Sequence, residues 1–244
     1  MEIFLIVIGV FIIIPAIVLI IYYFNKNEKE QKIEEERYNK FRKEHVVDRE
    51  KINRFNLSSQ ERYGLSGEDY VAKMLEGFTK QTESYVFNGV TLKDDYGNTT
   101  EIDHIFICKG GIYVIETKTL KGTIYGGRED EEWLQEKDNV LESKPIRNPV
   151  KQNEGHIRFL SRLFPNNPPK IKSLVIILKA NIRNVDCKYV YDEIDARDYL
   201  KDEISRGKYS EDYIRRMNNQ IRSILNKYGT TAKEHKNHLN DVLD

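Results

Sequence analysis

The chain has 244 residues, enough for one domain of ordinary size and an extension. Its 39 Lys and Arg residues balance its 39 Asp and Glu residues, so the total charge gives no indication of a polyanionic partner. Cys108 and Cys187 are the only cysteines, which excludes a disulfide framework and gives no metal-ligand spacing. The cysteine content is therefore typical of a reducing compartment.

The chain begins with a long apolar segment. Residues 3–24, IFLIVIGVFIIIPAIVLIIYYF, contain no charged side chain, and a helix needs ~20 such residues to cross a bilayer. A cleaved signal peptide would have a basic start and small residues at its end, and this segment has neither. We therefore expect residues 1–24 to form one transmembrane helix, with a buried core helix as the alternative.

The basic residues around this segment predict its orientation. No Lys or Arg precedes it, whereas Lys26, Lys29, Lys32 and Arg37 follow it. By the positive-inside rule, the C-terminal part of the chain then faces the cytoplasm. We expect a single-pass protein of the cell membrane.

Residues 25–57 are dense in charges of both signs. Pairs such as Glu28/Lys32 and Glu36/Lys40 lie four residues apart and stabilise an exposed helix by ~0.2–0.5 kcal/mol each. Apolar positions are too sparse for a clear heptad pattern, so we expect a solvated helical stalk or linker. A coiled-coil dimer is the alternative.

The remaining chain alternates helical and strand patterns. Ser66 is a candidate N-cap for a first helix, which is followed by a strand over residues 84–92 and a hairpin over 101–119. Residues 119–127 predict a third short strand, Pro149 begins a helix, and residues 171–179 form a continuous apolar strand. A strand near residues 188–194 and helices near 195–204 and 210–225 complete the order. The pattern predicts an α/β sandwich around a mixed sheet.

The hairpin carries three charges in an otherwise apolar pattern: Asp103, Glu116 and Lys118. Glu116 and Lys118 lie two apart and so share one face of their strand. If Gly110 and Gly111 form a two-residue turn, Asp103 lies opposite Lys118 and diagonal to Glu116. A shift of two residues places Asp103 directly against Glu116, and a three-residue turn moves it to the other face. The glycine pair favours the first register.

Two neighbouring carboxylates repel each other unless a cation lies between them. Oxygen ligands with open positions suit Mg²⁺ or Mn²⁺, which can activate a water for attack on a phosphodiester. Lys118 could then orient that water or stabilise developing charge. From spacing alone, a solvated sheet face with a Lys–carboxylate pair remains the alternative.

The motifs SGEDYVAKML, EIDHIFICKGGIYVIETKTLKGTIYG, the single Trp133 and NPVKQ occur in this order. Together they resemble the nuclease-related domain (NERD) family of the PD-(D/E)xK, restriction-endonuclease-like superfamily. The resemblance covers about residues 58–164 and continues towards residue 178. It implies a restriction-endonuclease-like α/β/α sandwich with a mixed central sheet, placed over residues 58–200, with a C-terminal helical extension over 201–244. Asp103 follows Ile102, where the general superfamily pattern has proline.

The resemblance also implies roles for individual residues. Asp103 and Glu116 match the metal-binding acids, and Lys118 matches the catalytic lysine. Glu68 matches an acid on the first helix that supports the metal or its water. Gln152 matches a glutamine beside the site that positions the lysine or the substrate. These five form the predicted catalytic set, with Mg²⁺ or Mn²⁺ and no organic cofactor. His104 alternates away from Asp103, and we expect a packed histidine there.

Basic residues cluster around the helix that carries Gln152. Between residues 141 and 183 there are nine Lys or Arg residues against Glu142 and Glu154 alone. A nucleic-acid backbone near the metal would need such neutralising charge. An ordinary charged helix face is the alternative. The predicted nucleic-acid-binding residues are Lys144, Arg147, Lys151, Arg158 and Arg162.

These patterns predict a membrane-tethered, metal-dependent nucleic-acid phosphodiesterase that faces the cytoplasm, with DNA as the expected substrate; they do not decide between DNA and RNA. A non-catalytic, membrane-anchored module that binds nucleic acid or protein through the same fold is the main alternative. A structural membrane protein whose stalk assembles a complex is a third hypothesis.

Overall fold

The computed structural model describes residues 16–26, 28, 29, 32, 36, 66–136, 143–231 and 235. The chain divides into two units, Met1–Asn53 and Arg54–Asp244. In the first unit residues 16–26 are helical, and the apolar side chains at residues 17–24 are exposed. Among all described residues, no helix is both long and apolar enough to cross a membrane. The first part of the predicted transmembrane segment and most of the predicted stalk lie outside the described residues.

The described part of the second unit is a mixed α/β fold. Ser66, Asn148, Asp192 and Ser210 cap the four helices, each accepting backbone N–H groups of the first turn. The elements in chain order are α1 (Gly67–Thr79), β1 (Tyr85–Lys93), β2 (Thr99–Cys108), β3 (Gly111–Gly127), β4 (Glu132–Glu136), β5 (Ser143–Arg147), α2 (Pro149–Arg162), β6 (Ile171–Asp186), β7 (Val190–Tyr191), α3 (Glu193–Arg206) and α4 (Glu211–Tyr228).

All seven strands join one sheet with β3 at its centre. Along one edge β3 pairs antiparallel first with β2 and then, further along, with β4. Along its other edge it pairs in parallel with β6 over almost its whole length. Strand β1 extends the sheet beyond β2, β5 extends it beyond β4, and β7 extends it beyond β6. The predicted mixed sheet is confirmed.

Helices cover both faces of this sheet. The main core cluster joins Ile105, Ile107 and Val114 of the sheet with Leu160 of α2 and Ile221 of α4. On the opposite face, Phe78 of α1 contacts Phe106, and Tyr199 of α3 contacts Tyr113. The predicted α/β sandwich is therefore confirmed. Because α4 belongs to the main core, the predicted C-terminal extension contributes apolar surface to the domain.

Some predicted elements differ from the observed ones. Residues 119–127 were expected as a separate strand, but β3 continues through them, with an irregularity in its β6 pairing between Thr119 and Gly122. Strands β4 and β5 are absent from the predicted elements, because each has only five residues and β5 contains Pro145. In fact they fold back on the far end of β3 and bury Trp133.

The hairpin register also differs from the favoured one. Cys108 pairs with Gly111, so Lys109 and Gly110 form the turn and the ladder is shifted by two residues. Contacts from a distant segment hold this turn: Tyr209 N–H donates to the Lys109 carbonyl at 3.1 Å. Gly207 lies so close that an added Cβ would sit 2.0 Å from the Lys109 carbonyl carbon. This register points Asp103 at Glu116.

Candidate active site

Strands β2 and β3 separate where Asp103 and Glu116 would form the next pair. Their ladder ends at His104 opposite Ile115. Beyond that point the Thr117 N–H donates to the Asp103 carboxylate at 2.7 Å, in place of a backbone carbonyl. The β1–β2 ladder also skips Asp103 and its neighbour Gly89, whose φ is +59°. The pairing of β2 is thus interrupted on both sides at Asp103.

Glu116 is almost completely buried, at 1% exposure. Lys118 Nζ lies 2.5 Å from its Oε1, and His156 Nε2 lies 3.4 Å from its Oε2. Neither Glu116 oxygen receives a hydrogen bond of regular geometry, although both have these partners at ion-pair distance. The Glu116 carboxylate is therefore compensated in charge but incompletely satisfied in hydrogen bonding.

The two carboxylates have opposite pKa shifts. Burial, and after it the negative charge of Glu116, raises the pKa of Asp103 to about 7. Burial also acts to raise the pKa of Glu116, but His156 and Lys118 outweigh it and hold this pKa below its usual value. Near neutral pH the pair thus consists of an ionised Glu116 and an Asp103 that is ready to lose a proton.

A cleft of about 980 Å³ is lined by Asp103, Glu116 and Lys118. Glu68, in the exposed first turn of α1, lines the same cleft. So does Gln152, in the first turn of α2, where the Asn148 cap fixes the start of the helix. All five predicted catalytic residues therefore lie on one cavity, although they come from two helices and two strands.

The predicted nucleic-acid-binding residues divide into two groups. Arg147, Arg158 and Arg162 line the cleft, and none of them has a salt-bridge partner among the described residues. Lys144 and Lys151 do not line it, and Lys151 Nζ lies 2.5 Å from Glu131 Oε1 instead. The arginines rather than the lysines form the basic wall of the cleft.

His156 also lines the cleft and was missed at the sequence level. It contacts Glu116, and its Nδ1 lies 2.7 Å from Thr100 Oγ1. The available signal was its position four residues after Gln152, since residues at this spacing share one helix face. His104, by contrast, is buried and shares a 2.9 Å hydrogen bond with Asn88, and burial lowers its pKa to about 4.

The fit of a divalent metal rests on two carboxylates. No group of three or more His, Cys, Asp or Glu residues in the described ranges is arranged to hold a metal ion. Asp103 and Glu116 nevertheless face each other, and a divalent cation between them would relieve the repulsion that raises the Asp103 pKa. Magnesium commonly uses one or two carboxylates and takes its other ligands from water and substrate phosphates. The residues present fit such a site.

Comparison with known proteins relates part of the chain to one family. Residues 63–178 match the nuclease-related domain (NERD) family, and this segment contains the sheet centre, α1, α2 and every residue that lines the cleft except His235. Over 124 residues the chain is 34% identical to the uncharacterized protein pXO1-01 of Bacillus anthracis. The alignment covers 50% of this chain and 57% of the relative, so the chain spans little more than half of that protein's length. No solved structure matches the chain.

Proposed function

We propose that the protein is a divalent-metal-dependent phosphodiesterase that cleaves nucleic acid, with DNA as the expected substrate. The observation that carries the proposal is the shared cleft: Glu68, Asp103, Glu116, Lys118 and Gln152 all line it. The match of residues 63–178 to the nuclease-related domain family supports the same reading. The order of helix, hairpin and second helix around the site is the one expected of a restriction-endonuclease-like fold.

In this proposal Asp103 and Glu116 are the residues that would hold Mg²⁺ or Mn²⁺. When bound there, the ion supplies charge neutralisation at the scissile phosphate and an acidified water. Asp103 has to lose its proton to serve as a ligand, and its pKa of about 7 makes this possible at neutral pH. The Thr117 N–H holds the Asp103 side chain in place during this change.

Lys118 is the proposed catalytic cation. Its side chain is 32% exposed and reaches the cleft from the same strand face as Glu116. Its ammonium can donate to the attacking water or to a phosphate oxygen whose charge increases in the transition state. Glu68 and Gln152 border the same space and orient water and substrate, while Arg147, Arg158 and Arg162 neutralise the phosphate backbone.

We also propose that this activity is attached to the cell membrane. The uncharged run at residues 3–24 supports an anchor, and the Lys and Arg residues that follow it support a cytoplasmic orientation. The catalytic unit would then meet its substrate at the cytoplasmic surface of the membrane.

The test is a cleavage assay with the full-length chain in detergent micelles. Single-stranded, double-stranded and nicked DNA are incubated with Mg²⁺, Mn²⁺ or EDTA, beside Asp103→Asn and Lys118→Ala. We expect cleavage that requires metal and is lost in both variants. A folded protein that binds DNA and never cleaves it would favour the non-catalytic binding module instead.

A further inference from the structure

His156 connects three parts of the site. It projects from α2, contacts Glu116 of β3 through Nε2 at 3.4 Å, and contacts Thr100 of β2 through Nδ1 at 2.7 Å. Its side chain is 14% exposed, and Thr100 is 7% exposed. The imidazole is thus a shielded link between the strand that carries Asp103 and the carboxylate of Glu116.

The hydrogen-bonding capacities of these groups decide how the link is made. An ionised carboxylate such as Glu116 only accepts, so the Nε2 atom that faces it carries the hydrogen. Gln152 Nε2 lies 3.5 Å from the same ring atom, and this tautomer requires the Gln152 amide to turn its oxygen towards the ring. In the neutral ring Nδ1 is then the acceptor, and the Thr100 hydroxyl donates to it. A hydroxyl can donate or accept, so Thr100 is compatible with this tautomer and holds the ring in place, as outer partners of metal-site residues commonly do, while the acceptor-only Glu116 selects the tautomer.

The two carboxylate oxygens of Glu116 have different partners, and these partners differ in how firmly they are held. Lys118 lies 2.5 Å from Oε1, while His156 lies near Oε2. Lys118 is 32% exposed and its side chain is long and flexible, so its ammonium can move aside when a cation binds. The shielded imidazole is held by Thr100 and stays in place.

We propose that His156 is a positioning residue: it holds one oxygen of Glu116 so that the carboxylate faces Asp103, and Thr100 holds the ring in the orientation that does so. This inference rests on the proposed function, because its consequence is tighter binding of a divalent cation between Asp103 and Glu116. His156 itself touches neither the cation nor the substrate.

The experiment measures Mn²⁺ binding by the full-length chain in detergent micelles, using the electron paramagnetic resonance signal of free Mn²⁺. His156→Leu removes the donor and is expected to weaken Mn²⁺ binding about 10–100-fold. His156→Gln keeps an N–H near the Nε2 position and is expected to stay within about threefold of the wild type. Thr100→Val should weaken binding less than His156→Leu does, and should add nothing when combined with it.

His235→Leu is the matched control. His235 also lines the cleft and its Nδ1 lies 2.7 Å from the neighbouring Thr99 Oγ1, but Glu116 is not among its partners. This control should bind Mn²⁺ as the wild type does. Thermal unfolding followed by circular dichroism identifies any variant that fails to fold; should His156→Leu fail, His156→Gln and Thr100→Val still test the link.

The possible outcomes separate this inference from the proposed function. Wild-type affinity in His156→Leu would overturn the positioning role while leaving the metal site intact. An equal loss in His156→Gln and His156→Leu would overturn it too, because the ring would then act by packing rather than by donating. A wild-type chain without saturable Mn²⁺ binding would reject the metal site itself, and the positioning role with it.

Discussion

A carboxylate–lysine pair lies near each end of the core segment of strand β3, and the two ends differ in what surrounds the pair. Near the start of β3, Tyr113 donates a short hydrogen bond to Glu203 of α3, and Lys172 Nζ lies 2.8 Å from the same Glu203 oxygen. We call this the closed end. The open end consists of Glu116, Lys118 and Asp103 at the cleft.

The comparison shows that a buried ion pair does not by itself indicate a functional site. At the closed end Glu203 is 4% exposed and shares its Oε2 with an ammonium and a phenol, as a structural pair requires. At the open end the Glu116 oxygens lack regular hydrogen bonds and a second carboxylate faces the first. The open end thus differs from the closed end in two features: the like-charged neighbour Asp103 beside Glu116, and the cleft that both residues line.

The largest expected effect is on cleavage. Lys118→Ala should lower the rate at least about 100-fold, because it removes the cation that stabilises charge at the phosphate. Lys172→Ala, the same change at the closed end, should leave the rate of the folded protein within about threefold of the wild type. Initial rates on one DNA substrate with Mg²⁺ measure both. Equal losses in the two variants would remove the functional difference between the ends.

The free energy of unfolding should be affected more by a substitution at the closed end than by the same substitution at the open end. Glu203→Gln breaks a buried pair and should lower the free energy of unfolding by about 3 kcal/mol. Glu116→Gln should cost less than about 1 kcal/mol, because it also relieves the repulsion of Asp103. Urea unfolding without metal compares these matched substitutions. A larger loss of unfolding free energy in Glu116→Gln than in Glu203→Gln would mean that the partners of Glu116 stabilise it better than those of Glu203.

The open end also predicts a pH dependence. Because the Asp103 pKa is about 7 in the folded protein and 3.8 ordinarily, the folded state binds more protons between these values. Its contribution to stability therefore falls as pH rises through this window, by less than the ~4 kcal/mol to which a shift of this size corresponds, because solvent screens the partly exposed carboxyl. Urea unfolding of the wild type and Asp103→Asn at several pH values isolates the effect, and a pH-independent difference would contradict the raised pKa.

The smallest expected effect concerns the basic wall. Arg158→Ala and Arg162→Ala should each weaken DNA binding and reduce the salt slope of the logarithmic affinity by about 1. Lys144→Ala, outside the cleft, should change neither quantity. Fluorescence anisotropy at several salt concentrations, with EDTA to prevent cleavage, provides the comparison. Equal effects at Lys144 and Arg158 would indicate a diffuse basic surface instead of a wall of the cleft.

The sequence predicted much of this fold because local patterns determine it. Ser66 and Pro149 mark the starts of α1 and α2, and the apolar runs of β3 and β6 are long enough to identify. The period of two in β3 placed Glu116 and Lys118 on one face. The order of motifs predicted Glu68 and Gln152 as site residues. In the structure both line the same cleft as Glu116 and Lys118.

What the sequence could not supply depends on contacts between distant segments. The glycine pair favoured a turn at Gly110 and Gly111, but Gly207 and Tyr209 hold Lys109 and so select the other register. The contact of His156 with Glu116 likewise depends on how α2 packs across the sheet. No local sequence pattern predicts either contact, because each joins segments that are far apart in the chain. His156 and Glu116, for example, are forty positions apart.

A crystal structure with Mn²⁺ determines whether Asp103 and Glu116 together bind a divalent cation. The anomalous difference map should show one peak in the cleft, within about 2.5 Å of a carboxylate oxygen of each residue. Lys118 should then have moved from its position 2.5 Å from Glu116 Oε1. A map without a peak there, at Mn²⁺ concentrations that support cleavage, would show that Asp103 and Glu116 do not form the metal site.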